Sequence, residues 1–406
     1  MSMGVCIWGE FMKKIFSFLL TLALLLLLVA CSGGNSAQTA QNEPAPAPTN
    51  NVFKIGSIGP VTGGAAVYGQ AVKNAIQIAV DEVNSNGGIN GYQIEYLFQD
   101  DEHDAEKSVN AYNALKDWGM QILIGTVTSS PCISVADKTY ADNMFQITPS
   151  GSAVDCAANP NVFRMCFSDP NQGIASAQYI NDNNLAKKVG IIYDASDVYS
   201  TGIYEKFLQE SKGKNYEVVA EEQFTADSKT DFTTQLTKIK TAGADLVFLP
   251  FYYNEAALVL NQANAMGYKP TFFGCDGMDG ILTLENFDTK LAEGLMLLTP
   301  FISNATDDLT VNFVKSYKAK FGEVPNQFAA DAYDCVYAVK LAVEKANVNP
   351  NMSISDMCNA MKSSMTSITQ QGLTGERISW QANGEPNKTP KAVVINNGEY
   401  VDASAK

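Results

Sequence analysis

From Val52 onward the apolar positions fall into two alternating rhythms. Short apolar runs such as "VFKIGSIGPV", "MQILIG" and "FQITPS" have the length of strands. Longer stretches such as "AAVYGQAVKNAIQIAVDEVNSNGG" repeat apolar residues at helical spacing and close on glycine. In order, the pattern predicts a strand, that helix, a strand at "YQIEYLFQD", a helix over 104–118, a strand, a helix over 131–143 and a strand. The rhythm then restarts. "NVFRMCFSDPNQ" leads into a helix near 171–184. Strands at "KVGIIYDAS", "YEVVAEEQF", "DLVFLPF" and "PTFFGCDG" then alternate with helices over 198–213, 231–242 and 255–267. Alternation of this kind predicts two α/β units of similar plan, each a parallel sheet with helices on both faces. "EGLMLLTPF" begins a return. Helices over 307–321, 329–347 and 353–363 bring no new sheet, so they are expected to cover the first unit, with several crossings between the two. "KAVVINNGEYV" reads as a hairpin-like end.

In open α/β sheets ligands bind at the carboxyl ends of the strands. The residues at those ends are Thr62-Gly63-Gly64 and Tyr68, Thr128-Ser129-Ser130, Pro149-Ser150-Gly151-Ser152, Asp194 to Tyr199, Phe251-Tyr252-Tyr253 and Cys275-Asp276-Gly277. Hydroxyls gather in the first unit, aromatics and one acid in the second.

A chain of 406 residues is too long for one ordinary core, which agrees with two units. The formal net charge of −15 and the lack of a basic stripe exclude nucleic acid as a partner. The segment "MKKIFSFLLTLALLLLLVAC", from Met12, has the basic start and apolar run of a secretory signal, so residues 1–30 are read as a signal peptide with a true start at Met12. Its end, Leu28-Val29-Ala30-Cys31, resembles a bacterial lipobox. That resemblance implies lipidation at Cys31, a low-complexity tether over 31–51 and an exported lipoprotein held at the cell membrane outside the cytoplasm. Export permits disulfides. No cysteine spacing is that of a metal site; Cys132–Cys156 is the favoured bridge because both fall in neighbouring loops, and buried free thiols are the alternative.

Catalysis finds little support. His103 is the single histidine, in the polar stretch "QDDEHDAEK", where a solvated surface position is expected. No GxSxG surrounds the candidate serines, and "GPVTGGAAVYG" lacks the ending of a phosphate loop. Asp100, Asp101, Glu102 and Asp104 lack calcium-loop spacing and read as a solvated helix start. Neither a metal nor a cofactor is called for. Anion capture without chemistry remains, because Ser129 and Ser130 precede a helix whose first N–H groups lack partners. "PSGSA" offers a second such edge. Asp276, ending an apolar strand, is costly there unless paired. It reads either as a turn former before glycine or as the counter-ion of a ligand ammonium.

The segments "IGSIGPVTGGAAVYGQAVKNAIQIAVDEVNSNGGING", "IGTVTSSP", "ITPSGSA", "VFRMCFSDPNQG" and "AADAYDCVYAVKLA" together resemble the leucine/isoleucine/valine-binding protein family over about residues 52–401. These are extracytoplasmic substrate-binding proteins of ABC importers. The resemblance implies two Rossmann-like lobes joined by three crossovers, closing on a ligand as a venus flytrap. It places an N-terminal lobe at 52–168 plus 300–374 and a C-terminal lobe at 169–299 plus 375–401. It assigns Ser129 and Ser152 to the ligand carboxylate, with a main-chain contact at Ser150, and Asp276 to the ammonium. Asp276 stands where the branched-chain binders carry glutamate, one methylene longer. Tyr68, Tyr199, Tyr252 and Phe328 fall on pocket-lining positions. A cysteine pair known in some members is replaced by His103 and Thr128. The implied protein is a monomeric, non-enzymatic binder of an amino acid, branched-chain or related, that serves a membrane permease. The alternatives are a sensor of the same fold feeding a signalling partner, and a binder of another small carboxylate.

Overall fold

The computed structural model describes residues 52–403; the signal, lipobox and tether readings lie outside them. The first sheet holds β1 (Val52–Gly59), β2 (Gln93–Asp100), β3 (Ile122–Gly125), β4 (Phe145–Thr148) and β5 (Val162–Arg164). It is parallel, in the order β2-β1-β3-β4-β5. β3 and β4 are buried along their whole length, so they read as short apolar runs rather than as alternating ones. The polar exception, Gln146, is satisfied: its Nε2 donates to Gly125 O at 2.9 Å, and its Oε1 accepts from Thr139 Oγ1 at 2.7 Å.

Three helices connect these strands: α1 (Ala66–Ser85), α2 (Ala105–Trp118) and α3 (Ser129–Ala141). α1 buries Val72, Ile76, Ala79 and Val83 at helical spacing. Each such aliphatic side chain contributes about 1.5–3 kcal/mol of burial. Gly69 in this helix packs on Pro60, where a Cβ would stand 1.8 Å from the carbonyl oxygen. A side chain there would push the loop after β1 off the helix.

At Asp169 the chain passes to the second unit: α4 (Asp169–Asp182), β6 (Lys188–Asp194), α5 (Val198–Glu210), β7 (Glu217–Phe224), α6 (Thr233–Ala242), β8 (Leu246–Leu249), α7 (Tyr253–Ala265), β9 (Thr271–Gly274) and β10 (Met296–Thr299). Its parallel part runs β10-β9-β8-β6-β7, which repeats the strand plan of the first sheet. The chain then returns in α8 (Asp308–Phe321), α9 (Gln327–Ala346) and α10 (Ile354–Met365). α9 packs along α1, and α10 lies on α9 and β4, so these helices cover the first unit as the pattern required.

A short hairpin of β11 (Gln370–Gly372) and β12 (Gly375–Ile378) was not foreseen. The chain stays with the first lobe beyond it: Trp380 Nε1 donates to Arg164 O at 2.8 Å and Arg164 N–H to Gly384 O at 3.1 Å. Lys388 is buried against Asp331 of α9 at 2.7 Å. The last crossing therefore comes after Lys388, not after residue 374. β13 (Lys391–Asn396) and β14 (Glu399–Asp402) then add an antiparallel edge beside β10, the expected hairpin. The result is two α/β lobes with three crossovers.

Candidate functional site

The sites at the strand ends follow from local structure. α3 starts two residues earlier than the pattern placed it, at Ser129, with Thr128 in the cap position and no side-chain cap bond. Its first N–H groups are therefore not taken by a capping side chain. The neighbouring turn after β4 is pinned from within. Ser150 Oγ donates to Val127 O at 2.6 Å, Gly151 N–H to Thr148 Oγ1 at 2.7 Å and Ala153 N–H to Ser129 Oγ at 3.2 Å. Ser129 and Ser152 are each 1% exposed.

On the second lobe, β9 ends in a 3-10 turn, Asp276–Met278. Asp276 is 4% exposed, and its Oδ1 accepts from Tyr199 OH at 2.6 Å. Its N–H donates to Gln172 Oε1 at 3.1 Å. Burial pushes the Asp276 carboxyl up to about 6, although the Tyr199 hydroxyl opposes the shift. Tyr199 stacks on Tyr252 with centroids 4.9 Å apart, and Tyr68 lies on Phe328 at 4.2 Å.

Tyr68, Ser129, Ser150, Ser152, Tyr199, Tyr252, Asp276 and Phe328 all line one cavity, together with Val127, Thr128 and Gly277; its volume is about 10 Å³. Hydrogen bonds beside the cavity cross the cleft and hold the lobes together. Tyr68 OH donates to Gly277 O at 2.5 Å, and Gln327 Nε2 donates to Asp276 O at 2.8 Å. Tyr68 OH also accepts from Tyr253 N–H at 3.3 Å.

Other residues singled out in the sequence fall elsewhere. Thr62 binds Asp100 at the surface, 2.7 Å away, and Phe251 sits in an aromatic cluster with Phe224 and Phe232. The Cys132–Cys156 bridge is not formed. The two are free thiols in one small buried cluster, where Cys156 Sγ donates to Ser129 O at 3.5 Å and Gln146 Nε2 to Cys132 Sγ at 3.7 Å. Each sulfur has its own partner, and packing rather than a covalent bond joins the loops.

His103 is a second correction. It is half-buried in the cleft, not solvated. Its Nδ1 lies 2.8 Å from Thr128 Oγ1, and its ring meets Tyr252 edge-on at 5.5 Å. A hydrogen bond thus joins the two positions at which the family resemblance implied a cysteine pair. The acidic stretch before α2 is only partly a solvated helix start. Asp104 caps the helix by accepting from Glu106 and Lys107 N–H, but Asp101 is fully buried and accepts from His103 N–H at 3.0 Å.

Sequence reasoning missed Arg164, which is fully buried at the end of β5 behind the Ser152 turn. A charge ending the apolar run "NVF" was the available signal, since a buried cation needs partners. Among the described residues no cluster of histidine, cysteine and carboxylates could hold a metal ion.

A family model described as a periplasmic binding protein matches residues 52–399. The Leu/Ile/Val-binding protein BraC3 of Rhizobium johnstonii is 30% identical over 294 residues, covering 72% of this chain and 79% of that protein. The branched-chain amino acid transporter substrate-binding protein LivJ of Streptococcus pneumoniae, solved with isoleucine, superposes with a TM-score of 0.78 at 28% identity, covering 86% of this chain and 99% of that one. A solute-binding protein of an ABC transporter from R. palustris, solved with benzoate, shares the fold with a TM-score of 0.77 at 19% identity, covering 87% and 95%.

Proposed function

The chain belongs to the periplasmic binding protein family, with relatives among the Leu/Ile/Val-binding proteins, and we propose that it captures an amino acid, branched-chain or related, between its lobes and delivers it to an ABC permease. The observation that carries this reading is the convergence of Ser129 and Ser152 from one lobe and Asp276 from the other on one cavity. A carboxylate docks on the serines and on N–H groups at the start of α3. The ammonium pairs with Asp276. Each charge of the zwitterion needs its partner once water is gone, and only closure presents both together. Differential affinity for the closed state then drives the closing motion. Tyr68, Tyr199, Tyr252 and Phe328 surround the ligand side chain, and Ser150 contributes its main chain.

Titration calorimetry of the protein without its signal segment, against L-leucine, L-isoleucine, L-valine and L-alanine, tests the proposal. Saturable one-to-one binding of at least one of them is expected. Heat from none of the four would remove the amino-acid reading.

A second reading, a plain aromatic carboxylate, draws on the benzoate complex of the same fold. It leaves Asp276 buried without a cation. Benzoate binding more tightly than every amino acid in the same titrations would favour it.

Around this core we place the lipid-anchored form: export by residues 1–30, acylation at Cys31, a tether to residue 51 and a monomeric binding domain facing away from the cytoplasm. Mass spectrometry of the membrane-extracted protein is expected to find a diacylated Cys31 as the first residue. The lobes are taken as 52–168 with 300–388, and 169–299 with 391–401. Recovery of a histidine kinase, and no permease, with the native lipoprotein would turn the assignment from import to sensing.

A further inference from the structure

Arg164 is a buried cation placed behind the serine edge of the cleft, and it does not line the cavity itself. Its side chain is 0% exposed. Guanidinium is never neutral in a protein, so its donors must be met. The two terminal nitrogens are met by one short segment, while Nε faces Glu385. Nη1 donates to Gly151 O at 3.3 Å and Ser152 O at 2.5 Å, and Nη2 donates to Ala153 O at 3.0 Å and Val154 O at 3.1 Å. Four successive carbonyls therefore face one side chain.

The consequence lies in peptide geometry. In a planar trans peptide the C=O and the following N–H point in opposite directions. Turning the carbonyls of Gly151, Ser152 and Ala153 toward Arg164 turns the N–H groups of Ser152, Ala153 and Val154 away from it. Of these, the Ala153 N–H donates to Ser129 Oγ at 3.2 Å, and Ser152 lines the cavity beside Ser129. A run of backbone N–H groups facing one way is an anion-binding concavity. The guanidinium charge adds to the same potential from one peptide layer behind.

Arg164 is itself held in place. Its own N–H and C=O are bonded to Gly384 and to Trp380, and Glu385 lies 3.2 Å from Nε. Those residues belong to the segment that leads into the third crossover.

We propose that Arg164 is a positioning residue for the ligand carboxylate: it orients the backbone of residues 151–154 so that its amides, with Ser129 and Ser152, select a carboxylate over a neutral group. The inference rests on the amino-acid reading above and deepens it.

The test compares carboxylate with carboxamide. Wild type, Arg164→Gln and Arg164→Lys are titrated with the best-bound of L-leucine, L-isoleucine, L-valine and L-alanine, and with its primary carboxamide. Circular dichroism and thermal melts check that each variant is folded. Wild type is expected to prefer the carboxylate strongly. In Arg164→Gln the amino acid is expected to lose about tenfold or more in affinity while the carboxamide changes by less than about threefold, so the preference collapses. Arg164→Lys keeps the charge but not the four-carbonyl grip, and an intermediate loss of preference is expected. It carries the test if Arg164→Gln does not fold. An unchanged preference in a folded variant overturns the inference, as does an equal loss for both ligands, which is what a merely structural arginine would produce. Wild type that binds none of the four amino acids overturns the amino-acid reading, and the role of Arg164 with it. Wild type that binds while the variants keep their preference overturns the role of Arg164 alone.

Discussion

The two lobes present matching strand ends to the cleft and fill them with opposite chemistry. β3 and β8 hold the same place in the two sheets, and each runs into a helix with no side-chain cap, α3 from Thr128 and α7 from Tyr252. At the first, the neighbours are small hydroxyls and no side chain caps the helix. At the second, the Tyr253 N–H is already taken by the Tyr68 hydroxyl from across the cleft. The next strand ends diverge further. β4 leads to the serines, with Arg164 buried behind them, while β9 leads to Asp276, buried beneath Tyr199. The lesson is that a helix start or a strand end is only an opportunity. What it binds depends on which side chain already occupies it and which buried charge stands behind it.

Removing the acid from its side should break this contrast most. Asp276→Ala is expected to weaken amino-acid binding by about 3–5 kcal/mol, because it orphans a buried ammonium. That is on the order of two to three and a half decades in Kd. A calorimetric loss below about threefold would sink the pairing of ammonium with Asp276. On the other side, Ser129→Ala should cost less, about 1.5–3 kcal/mol for one charge-assisted hydrogen bond, measured in the same titration.

The pH dependence sharpens the comparison, since Asp276 titrates near neutrality while the serine hydroxyls opposite it do not ionise there. Asp276 sits at about 6 before a ligand arrives. A bound ammonium lowers it, so binding releases a proton in that range. Affinity should therefore fall as the pH drops below about 6, by at most about tenfold per pH unit. Titrations from pH 7.5 to 4.5 test this, and a flat profile would contradict it.

Stability without ligand should move the opposite way, and the effect is smaller. Burial raises Asp276, Asp279 and Asp197 to about 6 and Asp101 to about 7. A carboxyl raised in the folded state above its unfolded value of about 3.9 stabilises the fold while protonated, and the contribution is lost as the pH rises through 6 to 7. His103 opposes this, because burial and the nearby Lys229 lower its pKa, but the raised carboxyls, with Asp331 also pushed up to about 6, outnumber it. The melting temperature of the ligand-free protein is expected to be higher at pH 5 than at pH 8; the reverse order would show that these carboxyls do not govern it.

Much of this was legible in the chain. The two rhythms and the end hairpin placed all ten α-helices and ten of the fourteen strands of the described residues, because a strand buried on both faces and an amphipathic helix leave different marks. The strand ends then named Tyr68, Ser129, Ser152 and Asp276 as neighbours of a crevice. The misses have separate causes. His103 sits in a stretch that reads as polar surface, and only the opposing lobe, through Tyr252, buries it. Cys132 and Cys156 do meet, but sequence cannot say whether two adjacent thiols bond. The β11–β12 hairpin is too short for periodicity to register.

By itself, then, the sequence determined the layer architecture and the kinds of group at each strand end, since local spacing and turn chemistry decide those. The tertiary structure alone decided which of those groups share a cavity, and that Arg164 grips four carbonyls of the turn beside it. The physical reason is that a buried charge has meaning only through its partners, and here the partners converge from segments far apart in the chain or are turned toward it by the fold of a loop.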